Sequence, residues 1–216
     1  MKFNLSVHPM SKKIEKRQTI IQAAIEVFGK KSFRDSNISE IARRAEVAEG
    51  TIYQYFRNKE DLFFSIPMEK TREFCNGLDL HLQGIVGPIN KIRKFIWYYL
   101  YFFETNPEYG RILMLEMRVS KSFVKTKTYS FLRDSTSEIL EIIREGQKEG
   151  VLRRDASPYI IRHLALGTLE HVVTRWLLKG EKYDLLDSYH DISKLVIDGI
   201  GAAEREPRLR ERAKED

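Results

Sequence analysis

The sequence predicts an all-α fold: a small N-terminal helical module joined to a larger helical body, about nine helices in all. Three observations predict it. Glycine and proline are scarce, 12 and 6 of 216 residues, so long helices fit better than many short strands joined by tight turns. Apolar residues recur at three- and four-residue spacing in segment after segment, the period of one helix face. Pro88, Pro107 and Pro158 each open such a segment, where proline is tolerated because the first-turn N–H has no partner in the helix.

Composition narrows the class further. Apolar residues make up 42% and charged residues 31%, ordinary for a folded chain that can build its own core. The single cysteine, Cys75, has no internal disulfide partner and cannot hold zinc alone. The longest apolar run, Phe95 to Phe103, is far below the roughly 20 residues a membrane span needs. The opening MKFNLSVHPMSKK has no long apolar stretch, so no signal peptide and a cytoplasmic location are expected. Charge is uneven: residues 1–60 carry 12 Lys/Arg against 7 Asp/Glu, whereas residues 61–216 carry 25 against 24. A basic N-terminal quarter on a nearly neutral body suggests a module that faces a polyanion.

The first helix is expected over residues 11–30, with Ile14, Ile21, Ala24, Ile25 and Phe28 on one stripe. The second covers 38–45. Asn37 can cap it, with Glu40 placed as in a capping box, and Ile38, Ile41, Ala42 and Ala45 face inward. After a break at Glu46-Val47-Ala48, the third covers 49–56, with Ile52 and Phe56 inward. Asn58 caps the fourth, and Asp61 lies in its first turn. Helix, short helix, tight turn, short helix is the helix-turn-helix pattern, whose second paired helix enters a DNA major groove. Gly50 permits close backbone approach. Gly50, Tyr53, Gln54 and Glu49 are candidates for base edges; Ser39, Thr51, Tyr55 and Lys59 are candidates for phosphate.

Residues 20–62 resemble the DNA-binding domain of the TetR family of bacterial transcriptional regulators. Ile21, Ala24, Phe28, Phe33, Ile38, Ile41, Ala42, Ala45 and Val47 carry the resemblance. The block Gly50-Thr51-Ile52-Tyr53-Gln54-Tyr55-Phe56, followed by Lys59-Glu60 and Leu62, is its most specific part. Three positions depart from the family pattern: Ser32 and Glu46 stand where glycine is usual, and Ala48 where serine is usual. At positive φ, Glu46 would strain the turn by about 1 kcal/mol. Ala48 forgoes a side-chain cap.

The fourth helix should run from Asn58 to about Leu80. Pro67 either kinks it or restarts it after a stop near Ser65. Pro88 to Glu104 is the fifth, Pro107 to Val119 the sixth and Lys125 to Glu149 the seventh, closed by Gly150. Ser157 caps the eighth, which runs to Lys179 with Gly180 ending it. Its apolar residues go nearly all round, so it needs partners on two sides. The ninth covers Asp184 to Ile200, with Leu185, Tyr189, Ile192, Val196 and Ile200 on one stripe. The tail, 204–216, alternates in sign and has little to bury. The domains are therefore read as 1–57 and 58–203, plus that tail.

The resemblance implies a homodimer built through the last two helices, binding a palindromic double-stranded DNA operator. It also implies an effector cavity in the C-terminal half. Candidates to line the cavity are Phe74, Trp97, Tyr98, Tyr101, Phe102, Tyr109, Met114, Met117 and Phe131, with His163, Glu170 and His171 as polar anchors; an apolar lining suits a small hydrophobic effector. The eighth and ninth segments are also similar to family members that sense fatty acyl thioesters. The reading is thus a ligand-responsive repressor without a cofactor. An activator or architectural protein of the same fold is the alternative. A helical enzyme is remote: the chain has no Gly-rich phosphate loop, His-Glu-x-x-His or Gly-x-Ser-x-Gly motif, and His163, Glu170 and His171 on one apolar helix are a weak metal pattern.

Overall fold

A computed structural model describes residues 9–202, with side chains from residue 12 onward. The charged tail expected over 204–216 lies outside the described residues. Among the described residues the protein is helical, and its one β-type contact is an isolated bridge between Leu152 and Gly201.

The N-terminal module is built by α1 (Pro9–Lys31), α2 (Ile38–Arg44) and α3 (Glu49–Tyr53). Ile20, Ala24, Phe28, Ile41, Ile52 and Phe56 close a small core. Ile14 is the exception to the predicted stripe: it is exposed, because α1 projects beyond its partners there. The Asn37 side chain accepts from the Glu40 N–H, as the cap requires. The Glu40 carboxylate pairs with Lys31 at 2.7 Å. α3 ends earlier than expected: Gln54 is its C-cap, and Tyr55 and Phe56 follow in a turn.

Both departures from glycine sit at left-handed backbone: Ser32 at φ 87° and Glu46 at φ 54°. Ser32 recovers part of the cost, since its hydroxyl donates to Asp35 and accepts from the Asp35 N–H. Glu46 is exposed. Glu46→Gly is therefore expected to stabilise the module by about 1 kcal/mol. Thermal melting with unchanged DNA affinity checks this; a lower melting temperature would count against it.

α4 (Lys59–Leu82) is capped by Asn58, whose side chain accepts from the Asp61 N–H. It runs unbroken through Pro67, so the stop-and-restart alternative is not what forms. Pro67 gives no N–H to the Phe63 carbonyl, and the buried faces of Phe63, Ile66 and Thr71 hold the helix through that gap. α5 (Pro88–Thr105) is the hub of the body, packing against α4, α8, α9 and α10, with Ile92, Ile96 and Leu100 fully buried.

Two predicted helices differ in detail. The sixth starts as α6 (Pro107–Gly110) but continues as a π-helix, Arg111–Met117, in which the Arg118 N–H reaches back five residues to the Leu113 carbonyl. The seventh is two helices, α7 (Lys127–Asp134) and α8 (Ser137–Glu149), after a single 3-10 turn at Phe123–Lys125. The break falls where the Ser135 and Thr136 hydroxyls donate back to the Leu132 and Arg133 carbonyls, competing with the helical ladder. Gly150 ends α8 at φ 78°.

α9 (Pro158–Leu178) is the predicted eighth helix, capped by Ser157. The predicted ninth begins as a 3-10 turn (Leu185–Ser188) and becomes α10 (Tyr189–Ile200). One side of α9 is buried at Ile161, Ala165, Leu169, Val173 and Trp176. The other leaves Ile160, Leu164 and Leu178 exposed. Leu195 of α10 is exposed as well, and a side chain built at Gly199 would meet Leu164, so the two exposed faces adjoin.

Candidate DNA-reading surface and ligand cavity

The turn into α3 is held by backbone, with the Val47 N–H donating to Ala42 and Ala45 to Ile41. Ala48 opens α3 with no side-chain cap. With Ile52 anchored inward, Glu49, Gly50, Tyr53 and Gln54 face solvent and Thr51 and Tyr55 are half-buried at the flanks. A Cβ at Gly50 would meet nothing within 4 Å, so the fold itself does not require glycine there. Ser39 is exposed on α2.

Lys59 differs from the simple expectation of a cation reaching outward. Its ammonium donates to the Ser36 carbonyl at 2.5 Å and lies 4.4 Å from the Phe33 ring centre. Several other basic residues are also engaged. Arg17 pairs with Glu69 and covers Phe56, and Arg44 pairs with Glu26. Arg57 pairs with Asp61, and its hydrogen bonds hold the Asp61 carboxyl below the usual carboxylate range. Lys12, Lys13, Lys16, Arg34 and Arg43 are exposed.

The body encloses a cavity of about 360 Å³ between α4, α5, the π-helix, α7 and α9. Its interior is aromatic: Phe74, Phe95, Tyr99, Phe102, Phe103 and Tyr109 line it. Burial raises the Tyr99 and Tyr109 hydroxyls far above an ordinary phenol, so both stay protonated. The exposed lining residues Arg118, Val124, Arg133, His163 and Gly167 mark the mouth. Arg118 pairs there with Glu170 at 2.5 Å. Arg162 lies just inside. It donates to Thr136 at 3.3 Å and its guanidinium faces the Tyr159 ring, but its buried Nε has no partner.

Of the predicted ligand residues, Phe74, Phe102, Tyr109, His163 and Glu170 line this cavity. The other seven do not, each for a packing reason. Trp97 and Tyr101 stack on each other at 5.1 Å on the far side of α5, with His81 against their edges. Tyr98 fills the space over Gly77, where a Cβ would come within 2.0 Å of its hydroxyl oxygen. Met114 and Met117 are buried in the packed side of the π-helix. Phe131 lies under Arg72 on the outside of α7. His171 is exposed on the outer face of α9. Sequence reasoning missed the cavity's cations, Lys70, Arg118, Arg133 and Arg162, and also Thr71 and the aromatics Phe95, Tyr99, Phe103 and Tyr129. An arginine in the first turns of a strongly apolar helix, as at Arg162, was the available signal.

Between cavity and DNA module lies a polar seam. The Phe33 N–H, next to strained Ser32, donates to the Glu116 carboxylate at 2.8 Å. Arg111 donates to the Gly29 carbonyl at 3.5 Å and to Glu181 at 2.5 Å. Gly29 meets α6 so closely that a Cβ would stand 2.5 Å from the Glu108 Cβ. Both Arg111 and Glu116 belong to the π-helix whose Leu113 lines the cavity.

A helix-turn-helix joined by such a seam to an aromatic cavity with a cationic mouth is the architecture of a ligand-responsive transcriptional regulator. The family described as "Bacterial regulatory proteins, tetR family" matches residues 20–66, and the "YsiA-like protein, C-terminal region" matches residues 68–199. The chain belongs to the TetR family of bacterial transcriptional regulators. It is 29% identical to the "Fatty acid metabolism regulator protein" of Bacillus subtilis (strain 168), over 88% of this chain and 98% of that one. It is similar in structure to the fatty acid degradation regulator FadR of Bacillus halodurans, with TM-score 0.80 and 28% identity over 85% of this chain and 95% of that one. It is likewise similar to FadR of Bacillus subtilis in complex with stearoyl-CoA, with TM-score 0.78 and 28% identity over 85% of this chain and 98% of that one. No helix among the described residues is long and apolar enough to cross a membrane.

Proposed function

We propose that the protein works in the cytoplasm as a homodimer that grips a two-fold-symmetric operator and releases it when a fatty acyl thioester fills the cavity. The observation that carries the effector assignment is the cavity itself, an aromatic interior behind a mouth set with Arg118, Arg133 and Arg162. The interior suits an acyl chain; the cations suit the phosphates and thioester oxygen of a coenzyme A head. The orphaned Arg162 Nε supports this, because a buried donor without a partner costs about 1–3 kcal/mol unless a ligand satisfies it. The stearoyl-CoA complex of the Bacillus subtilis relative supports the same chemistry. No catalytic step is assigned to the site; its role is binding, and no cofactor is needed.

On DNA, Glu49, Gly50, Tyr53 and Gln54 read base edges, while Ser39, Thr51, Tyr55 and Lys59 hold phosphates. Lys59 reaches phosphate only by turning from the Ser36 carbonyl. The exposed face of Ile160, Leu164, Leu178 and Leu195 pairs with the same face of a second copy, setting the recognition helices about 34 Å apart for a palindrome. The acyl thioester must bind the released form more tightly than the DNA-bound form.

Fluorescence anisotropy of the full chain on DNA from upstream of its own gene, near physiological salt with competitor DNA, tests the reading. Competitor-resistant binding that dodecanoyl-CoA reverses and free coenzyme A does not is the expected result. Indifference of a tight complex to acyl thioesters of every chain length would overturn the effector assignment. In the same assay, Arg162→Met should raise the acyl thioester needed for release about tenfold with DNA affinity unchanged. Tyr55→Phe should weaken binding to all operator variants alike if the hydroxyl meets phosphate; a loss confined to particular bases would make it a base contact.

A further inference from the structure

The lining of the cavity holds a second orphan. Thr71, on α4, is 3% exposed and lines the cavity, yet its Oγ1 has no hydrogen-bond partner. A helical threonine usually returns its hydroxyl to a carbonyl of the preceding turn; this one does not. The Tyr109 hydroxyl lies near enough to interact with it, although burial governs that phenol. Phe74, Phe102 and Tyr109 line the same cavity, as does the buried Lys70 that precedes Thr71 in the chain. This hydroxyl belongs to α4, whereas Arg162, which would serve the head of the ligand, belongs to α9.

We propose that the preferred effector is an oxygenated acyl thioester, whose chain carries a hydroxyl or oxo group that hydrogen-bonds Thr71. The proposal rests on the acyl-thioester reading above and goes beyond it. An unsubstituted chain would leave Thr71 as it stands, a buried hydroxyl with only the Tyr109 phenol at hand. A chain bearing an oxygen at that depth satisfies the hydroxyl and repays its own loss of water. Discrimination between analogues is strongest in this arrangement, because a site with a buried polar group rejects the ligand that cannot pair with it. Either hand of the bond serves: Thr71 can donate to an oxo group or accept from a hydroxyl.

The test is release of operator DNA from the full-length protein by dodecanoyl-CoA, β-hydroxydodecanoyl-CoA and ω-hydroxydodecanoyl-CoA. These two oxygenated chains place the group near the head or at the far end. At least one should release DNA at roughly tenfold lower concentration than the plain chain. Thr71→Val, of nearly the same shape, should erase that advantage and still respond to dodecanoyl-CoA. Thr71→Ser should keep the advantage, which a purely structural role for the residue would not explain. Equal release by all three thioesters, or an advantage that survives in Thr71→Val, overturns this proposal and leaves the acyl-thioester reading standing. Release by none of them, nor by acyl thioesters of any other chain length, from the wild type overturns both.

Discussion

Replacing Leu164 with glutamate is expected to convert the dimer to a monomer that no longer holds its operator. Leu164 is 47% exposed in the single chain, midway along the stripe that includes Ile160 and Leu178 on α9 and adjoins Leu195 on α10. Its Cδ2 would touch a side chain at Gly199 at 3.9 Å, so it sits where the two helix faces meet. In an isolated subunit a charge here costs little, because the side chain reaches water. In the packed dimer two glutamates would be buried near the symmetry axis, each desolvated and without a cation, at several kcal/mol. Sedimentation should show halved mass, with helicity and melting of the single subunit preserved. Operator affinity should fall at least a hundredfold, because one recognition helix without its tethered twin loses the effective concentration that joins two half-sites. Leu164→Met, which keeps the apolar face, should leave both properties intact. A Leu164→Glu protein that remained dimeric would place the interface elsewhere.

The reason this face could be read from sequence, and the cavity only in part, is physical. A long helix that is apolar on all sides declares that one chain cannot cover it, since burial on one side leaves the other without a partner. The same kind of local argument served the DNA module. Asn37 and Asn58 cap where they should, and Glu46 takes the positive φ that a glycine-favouring turn demands. Cavity membership is different. On α5 every position from Phe95 to Phe103 is aromatic or aliphatic, so periodicity alone does not say which face is outer there. Phe95, Tyr99 and Phe102 turn inward, while Trp97 and Tyr101 turn out to stack on each other beside Lys94. That choice is made by packing from another helix: Phe74 of α4 sets its ring against Phe95, Tyr99 and Phe102. The break at Ser135-Thr136 had a legible cause, a run of short hydroxyl side chains, but an equally apolar pattern on both sides of it conceals the change of direction. The π-turn has no comparable sequence mark: it shows only where Arg118 bonds Leu113.

That π-turn is the shortest path from effector to DNA, and the second large effect is expected there. Glu116→Gln should leave operator affinity within a few-fold of wild type and blunt the response to acyl thioester by tenfold or more. The π-helix presents Leu113 to the cavity and Arg111 and Glu116 to the N-terminal module. One extra residue per turn is held in it, and such bulges cluster at functional positions. A ligand pressing on Leu113 that drew this segment into α-helical register would rotate Glu116 away from the Phe33 N–H. The module would then lose a charge-assisted bond at its junction with the body. The geometry gives the bond leverage: Phe33 follows Ser32, held at φ 87°, and Gly29 leaves no slack against Glu108. Burial pushes the Glu116 carboxyl up, while the Phe33 N–H pulls it down. Because the folded state raises this pKa, protonation favours folding as pH falls through it, yet it also replaces the charged acceptor by a neutral one. Mildly acidic solution should therefore imitate Glu116→Gln, reducing the acyl response of the wild type and leaving the variant unchanged. Effector titrations of operator release at two pH values, on both proteins, measure this directly; a variant that still lost its response on acidification would place the pH-sensitive group elsewhere, and a variant with the full wild-type response would remove Glu116 from the path.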